Sequence, residues 1–513
     1  MLNTFIMQII GALAGAALAL VLIRQLLMSR RPTGPSMKHF QPAVLCVLLI
    51  TLAGCSNSTS TANTSSTPTA RPSPTSKPPI ALTVPSIATT PTTPASSSND
   101  WTTYHRDNSR AGYLASAPDP RRLTSLWSVQ LDGAVYGEPL VIGGRLLVAT
   151  EGDSLYSLDA QTGHILWRTN IGSPVPLHDL PCGNIDPLGI TGTPVYDPAT
   201  GLIFAVAEVS GFAHILVGVD AGTGKVRVRR SADTAGMDTR VHQQRAALAL
   251  SQGMVYIAYG GLDGDCGDYI GRVVASRTDG QGPLLSYQVP TPRTGGIWAA
   301  SGPAVDAAGN IYVAVGNGAA TQGNWDHSDS VLRLSPTLQL EDGFAPQQWQ
   351  QDNASDADLG STGPILLPNG LIYADGKSGL GYLLHADSLG GVGGQAQVRS
   401  ICTSFGGAAA IGSRVFVPCT DGLREVLVGP GDQLAVGWHA PGQVTGSPVV
   451  GGNTVYSLDP GGTLFALNSQ SGEVISMVGV GQTSRFATPT LYDGHVFVGT
   501  LSGVVAVSAS SAS

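Results

Sequence analysis

Apolar and polar residues alternate with a period of two in short runs along most of this chain, and Gly, Pro, Asn and Asp separate the runs. This is the pattern of β-strands joined by tight turns. The clearest instance is GDSLYSLDAQTGHILWR, Gly152 to Arg168. Leu155, Ser157 and Asp159 alternate with Tyr156 and Leu158, as on a strand with unlike faces. Asp159 opens a turn that Gly163 can close at positive φ, having no Cβ to clash. His164 to Arg168 then reads as the returning strand, carrying Trp167. The phrase recurs as GGTLFALNSQSGEVISMV from Gly461 and, weakened, as ILVGVDAGTGKVRVRR from Ile215.

Small residues followed by Pro, or their equivalents, lead into an apolar strand at Glu138, Thr193, Arg245, Gly302, Gly363, Gly407, Ser447 and Thr488. These starts lie about 40–60 residues apart, the period of propeller blades. The predicted fold is therefore all-β, an eight-bladed β-propeller over residues 101–513. The last unit stops short of an outer strand. LTSLWSVQL, Leu123 to Leu131, precedes the first unit and is expected to supply that strand, closing the ring and removing an exposed sheet edge.

Composition narrows the function classes. The 513 residues include 66 Gly, only 12% are charged, and the net charge is −8. No Lys/Arg run extends beyond Arg229-Arg230, so the electrostatic footprint of a nucleic-acid partner is missing. There is no HExxH, GxSxG, Walker loop or CxxCH.

The N-terminal part carries addressing signals. Phe5 to Ile23 is uncharged and long enough to span a membrane, with Arg24, Arg30 and Arg31 behind it. Residues 37–55 read as a lipoprotein signal peptide, because Leu52-Ala53-Gly54-Cys55 ends a second apolar stretch and resembles a bacterial lipobox. Cys55 is the expected lipidation site. Met37 precedes Lys38, so we favour Met37 as the start and residues 1–36 as a start-site artefact, the alternative being an extra span. Residues 56–100 are almost all Ser, Thr, Pro and Ala, a disordered linker that cannot bury enough apolar surface to fold.

Cys182, Cys266, Cys402 and Cys419 remain for the propeller. An even number beyond an export signal suggests two disulfides with three connectivities, against the alternative of four buried thiols. The pairing Cys402–Cys419, within reach of one hairpin, and Cys182–Cys266, across neighbouring blades, is preferred.

The LDAxTGxxxW-like phrase resembles the repeat of quinoprotein-type propellers over essentially Trp101 to Ser511. That family includes dehydrogenases holding pyrroloquinoline quinone (PQQ) with Ca²⁺, and cofactor-free members such as the lipoprotein of the outer-membrane β-barrel assembly machinery. Trp298 in GGIWAASG resembles the family's Trp under the quinone, and Asn317 in the following GN its Ca²⁺-binding Asn. Asp356 and Asp358 fall where the family carries its catalytic Asp, and Lys377 resembles the basic residue that contacts the quinone. Around the expected Glu ligand for Ca²⁺ stand Asp265, Cys266 and Asp268, which makes Asp265 and Asp268 the candidate metal ligands beside Asn317. The family's adjacent-cysteine lid is missing, since Cys182 is followed by Gly183. The bland counterparts are an inter-blade packing Trp, solvated turn carboxylates and an exposed Lys.

The reading adopted from sequence is a membrane-anchored, extracytoplasmic lipoprotein. Its propeller is expected to act as a protein- or ligand-binding or scaffolding module, without cofactor, for a protein or cell-envelope partner. The alternative is a PQQ- and Ca²⁺-dependent dehydrogenase of alcohols or sugars. There, Asp356 or Asp358 takes the substrate hydroxyl proton.

Overall fold

The computed structural model of the chain describes residues 97–509. The leader, Cys55 and the linker up to residue 96 lie outside the described residues. Among those described, no helix is long and apolar enough to cross a membrane.

Eight sheets of four or five strands follow one another along the chain, each a blade. Blade 1 runs outward through Leu140–Ile142, Arg145–Thr150, Ser154–Asp159 and Ile165–Asn170. The innermost strands of blades 2 to 7 are Val195–Asp197, Ala249–Ser251, Ala304–Val305, Ile365–Leu367, Ala409–Ile411 and Val449–Gly451. Blade 8 consists of Thr490–Tyr492, His495–Thr500 and Gly503–Ser508, and its outer strand is Thr124–Gln130. That strand pairs antiparallel with Gly503–Ser508, from Thr124 opposite Ser508 to Gln130 opposite Gly503. The ring closes as the sequence suggests, and no blade is left with an open outer edge for want of a strand.

The repeated phrase is a lock between neighbouring blades. Asp159 Oδ1 accepts the backbone N–H groups of Gln161 and Thr162, and Gly163, at φ 72°, donates to the Asp159 carbonyl. Trp127 on the outer strand of blade 8 donates its indole N–H to the Gln161 carbonyl of this turn. A Cβ on Gly163 would come within 2.8 Å of the Trp127 ring, so glycine is needed both for φ and for contact. Trp167 repeats the arrangement on Ala221 and Gly224 of blade 2, and Trp438 on Ser469 and Gly472 of blade 7.

The strand Ser154–Asp159 departs from the expectation of unlike faces. It is buried on both sides, with Leu155 in one hydrophobic cluster and Tyr156 and Leu158 in another. Blades stack face to face, so a middle strand serves two cores and the alternation marks two interfaces rather than inside and outside.

The segment Trp101–Tyr113 lines the inside of the ring. Its backbone or side chains bond Val141, Tyr196, Leu250, Val305, Leu366, Ala410 and Val450 in turn, one residue on or beside the inner strand of each of blades 1 to 7. The Tyr104 hydroxyl accepts from Thr488 ahead of blade 8. Arg110 is fully buried, yet its guanidinium is satisfied by Thr103 Oγ1 and the carbonyls of Tyr104, Leu248 and Pro303.

Candidate functional site

The sharpest concentration of chemistry lies where second strands end and the next blade is entered. Strand Ile311–Val315 of blade 4 runs out into Gly316 and Asn317. Gly316 donates to the Gly296 carbonyl and Gly295 to that of Asn317, which sets the strand exit beside the segment carrying Trp298. Glycines form a cradle for that indole. A Cβ on Gly260 would stand 2.6 Å from Trp298 Cβ, and one on Gly316 3.1 Å from Trp298 Nε1.

Trp298, Asn317, Asp265, Asp356, Asp358 and Lys377 all line one cavity of about 490 Å³. Residues predicted from separate blades are thus brought together. Lys377 Nζ stands 5.5 Å over the Trp298 ring, 3.1 Å from Asp358 Oδ2 and 2.7 Å from Asp356 Oδ1. The two carboxylates differ sharply. The Asp356 side chain is 65% exposed and that of Asp358 1%, and Asp358 Oδ1 has no hydrogen-bond partner. Burial pushes the Asp358 carboxyl up, the Lys377 ammonium holds it back, and it settles at about 6. Burial works to lower the Lys377 amine, but Asp358 and Asp356 outweigh it and raise it above its ordinary range.

Asp265 reaches the cavity from blade 3, at φ 51°, with its Oδ1 accepting the Tyr269 hydroxyl at 2.5 Å. Asp268 does not join it. Its side chain is 95% exposed and faces Arg293 at 3.3 Å, so it is corrected here from candidate ligand to surface ion-pair partner. Among the described residues no three His, Cys, Asp or Glu side chains converge as a metal cluster.

Both disulfides have the preferred pairing, Cys182–Cys266 and Cys402–Cys419. The first has cavity-lining residues at its ends, Asn184 on one side and Leu262 to Asp265 on the other. No adjacent-cysteine lid exists, but this wall is covalently stapled.

Four cavity residues escaped the sequence reading. Phe405 and Phe486 stand 6.5 and 6.4 Å from Trp298, ring centroid to centroid. Arg485 stacks on Phe405 at 3.7 Å and Arg245 on Phe486 at 4.3 Å. Partial desolvation lowers both guanidinium groups, and Tyr136, Glu151 and Asp263 oppose it at Arg245. A signal was present: TSFGG and TSRFATP lead into blades 6 and 8 as GGIWAASG leads into blade 4.

Residues 112–262 match the family described as outer membrane protein assembly factor BamB, of the PQQ-like repeat type. The chain is an eight-bladed β-propeller that carries a PQQ-like repeat match over those residues. Among curated proteins, this propeller is 26% identical over 243 residues to a polyvinylalcohol dehydrogenase of Pseudomonas sp., covering 43% of the chain and 35% of that protein. Another polyvinylalcohol dehydrogenase, of Sphingopyxis sp. (strain 113P3), is 26% identical over 295 residues, covering 49% and 41%. The alignments thus span well under half the length of these relatives. Among solved structures, the propeller is similar to the quinohemoprotein alcohol dehydrogenase ADHIIG of Pseudomonas putida HK5, with TM-score 0.61, 13% identity and 81% of each chain covered. It is also similar to BamB from Moraxella catarrhalis, with TM-score 0.54, 17% identity, and 75% and 99% covered. These two likenesses establish the fold.

Proposed function

We propose that the cavity is a quinone site and that the protein oxidises an alcohol. The observation that carries this reading is Asp358, a buried carboxylate with one free oxygen, paired to a lysine that stands over a glycine-cradled indole. A surface for protein recognition does not call for that arrangement, and it favours the dehydrogenase alternative over the scaffolding module expected from sequence.

The residues present suit PQQ. A flat tricarboxylate finds an aromatic face in Trp298, and the half-buried Arg245 and the exposed Arg485 are cavity-lining cations stacked on aromatic rings. Asn317 and Asp265 are the cavity-lining oxygen donors that would hold a Ca²⁺ ion, which would supply Lewis-acid polarisation. When bound, such a quinone accepts the hydrogen and the two electrons that leave the carbinol carbon. Asp358, largely ionised above pH 6 and at the cavity wall, takes the hydroxyl proton. Lys377 stabilises the Asp358 carboxylate until a proton arrives, and both stay in place because burial and pairing hold them. The names of the curated relatives suggest a secondary alcohol, polymeric in their case, as substrate class.

The match of residues 112–262 to an outer-membrane assembly factor favours a second reading, a protein partner in the cell envelope. Two disulfides fit the same oxidising compartment. Anchoring through Cys55, with residues 56–100 as spacer, is proposed on the lipobox alone.

The test is thermal unfolding with PQQ and Ca²⁺, repeated with a lanthanide because one structural neighbour is a europium-containing methanol dehydrogenase. Ligand at a hundredfold excess over Kd adds about 2.7 kcal/mol of stability. A stabilisation lost in Trp298→Ala, with alcohol-dependent reduction of an acceptor dye, supports the enzyme. No stabilisation and no dye reduction would return the protein to the binding class.

A further inference from the structure

Behind the wall that carries Asp358 lies a second pair of carboxylates. Asp329 is fully buried at the foot of strand Ser330–Leu334. Its backbone N–H donates to the Gly316 carbonyl at 2.9 Å, and its Oδ1 accepts the Leu359 N–H at 2.6 Å. One residue therefore ties the strand end preceding Asn317 to the residue following Asp358. The two backbones touch there, since a Cβ on Gly360 would stand 2.6 Å from Gly316 Cα. On its other side Asp358 gives its carbonyl to the Lys377 N–H at 2.9 Å.

The remaining oxygen of Asp329, Oδ2, has no ordinary donor, and neither has Asp352 Oδ2. The two carboxyl groups interact electrostatically, and Asp352 raises Asp329. Two buried, interacting carboxylates resist being ionised together, and a proton held by one of them lets the pair stay buried. Burial acts in the same direction, raising both groups. Asp352 belongs to the short helix Trp349–Ser355, and its neighbour Asn353 pins that helix to the loop after Asn317. Asn353 Oδ1 accepts the Gly318 N–H at 2.8 Å, and Nδ2 donates to the Ala320 carbonyl at 2.7 Å and to Ser328 Oγ at 2.9 Å.

We propose that Asp329 and Asp352 form a positioning pair that holds Asp358 against Lys377 at the cavity wall. The pair touches no cavity ligand and acts only through the Leu359 N–H and the helix it anchors. Its catalytic consequence rests on the reading of Asp358 as the base, but its structural consequence can be measured without cofactor.

The readout is amine labelling of Lys377 by an acylating reagent across pH, scored by peptide mass spectrometry against the exposed Lys225 of the same protein. Asp329→Ala frees the Asp358 segment, weakens the ion pair and raises relative labelling of Lys377 about tenfold at fixed pH, the effect of one pKa unit. Asp329→Asn restores the wild-type profile, because its amide oxygen still accepts from Leu359 and its NH₂ can donate to Asp352. If Asp329→Ala does not fold, Asp352→Ala carries the same expectation. Unchanged labelling in the folded alanine variant, or failure of the asparagine variant to restore it, overturns the proposal. Predicted labelling in a protein that oxidises no alcohol with PQQ would remove the enzyme reading and leave the positioning pair. Alcohol oxidation with unaltered labelling would do the reverse.

Discussion

Lys377 Nζ lies 3.1 Å from Asp358 Oδ2, joining the entry to blade 5 to the exit of that blade's second strand. Because the carboxylate is buried and the ammonium only partly so, desolvation outweighs the pairing for Asp358, whose carboxyl stands at about 6 instead of near 4. On the enzyme reading, kcat/KM should rise with pH through about 6 and level off above it. Asp358→Asn should remove that limb and lower kcat/KM by about 10²–10⁴, the range for a lost general base. A pH–rate profile with no limb near 6 would exclude Asp358 as the base.

The ring lock gives a stability prediction independent of function. Trp167→Ala removes the indole N–H bond to the Ala221 carbonyl and the contact with Gly224, and should cost about 2 kcal/mol in denaturant unfolding. Gly224→Ala should be costly as well, since φ is 73° and its Cβ would press on the same ring. The two losses should fall short of additive in the double variant, because they disturb one contact.

Replacing Val129 and Leu131, which face the blade 8 core, by Asp should lower the unfolding temperature of the whole propeller, since the outer strand of blade 8 then no longer packs. Deletion only through residue 96 should leave the transition nearly unchanged. An unaltered transition in the Val129→Asp/Leu131→Asp variant would contradict closure by Thr124–Gln130.

Buried acids between blades 1 and 2 make stability fall with rising pH. Burial raises Glu151 and Asp153 to about 8, and Asp153 has no hydrogen-bond partner on either oxygen. The folded state therefore binds protons that the unfolded chain releases. Their contribution is complete below about pH 4 and is lost as pH climbs to about 8, at up to 1.4 kcal/mol per pH unit for each group. Thermal melts across pH 5–9 should show the decline, and Asp153→Asn should flatten it.

Loss of the Cys182–Cys266 link should cost about 2–4 kcal/mol. It should also speed hydrogen exchange over Leu262 to Asp265, the wall it staples, as read by mass spectrometry in a Cys182→Ser/Cys266→Ser variant.

Local chemistry was enough for the repeating part of this protein. The Asp–Gly turns, the returning strand with its Trp and the two-residue alternation are dictated within a dozen residues, so blade count and the closing strand could be read from the chain, whereas of three disulfide connectivities the sequence favoured one and the fold fixed it. What the alternation could not say is that both faces of a middle strand are buried, because that depends on the neighbouring blade. The site divides in the same way. Trp298, Asn317, Lys377 and the two carboxylates Asp356 and Asp358 could be singled out by their resemblance to the family's site, but the sequence distinguished neither Asp356 from Asp358 nor Asp265 from Asp268. Only the folded loop turns Asp265 toward Tyr269 and the cavity and Asp268 outward to Arg293. The Phe405–Arg485 and Phe486–Arg245 stacks and the Asp329–Asp352 pair join residues from different blades or from an insertion between them. Such pairings are set by the closure of the ring, which brings distant turns around one axis, and no local pattern encodes them.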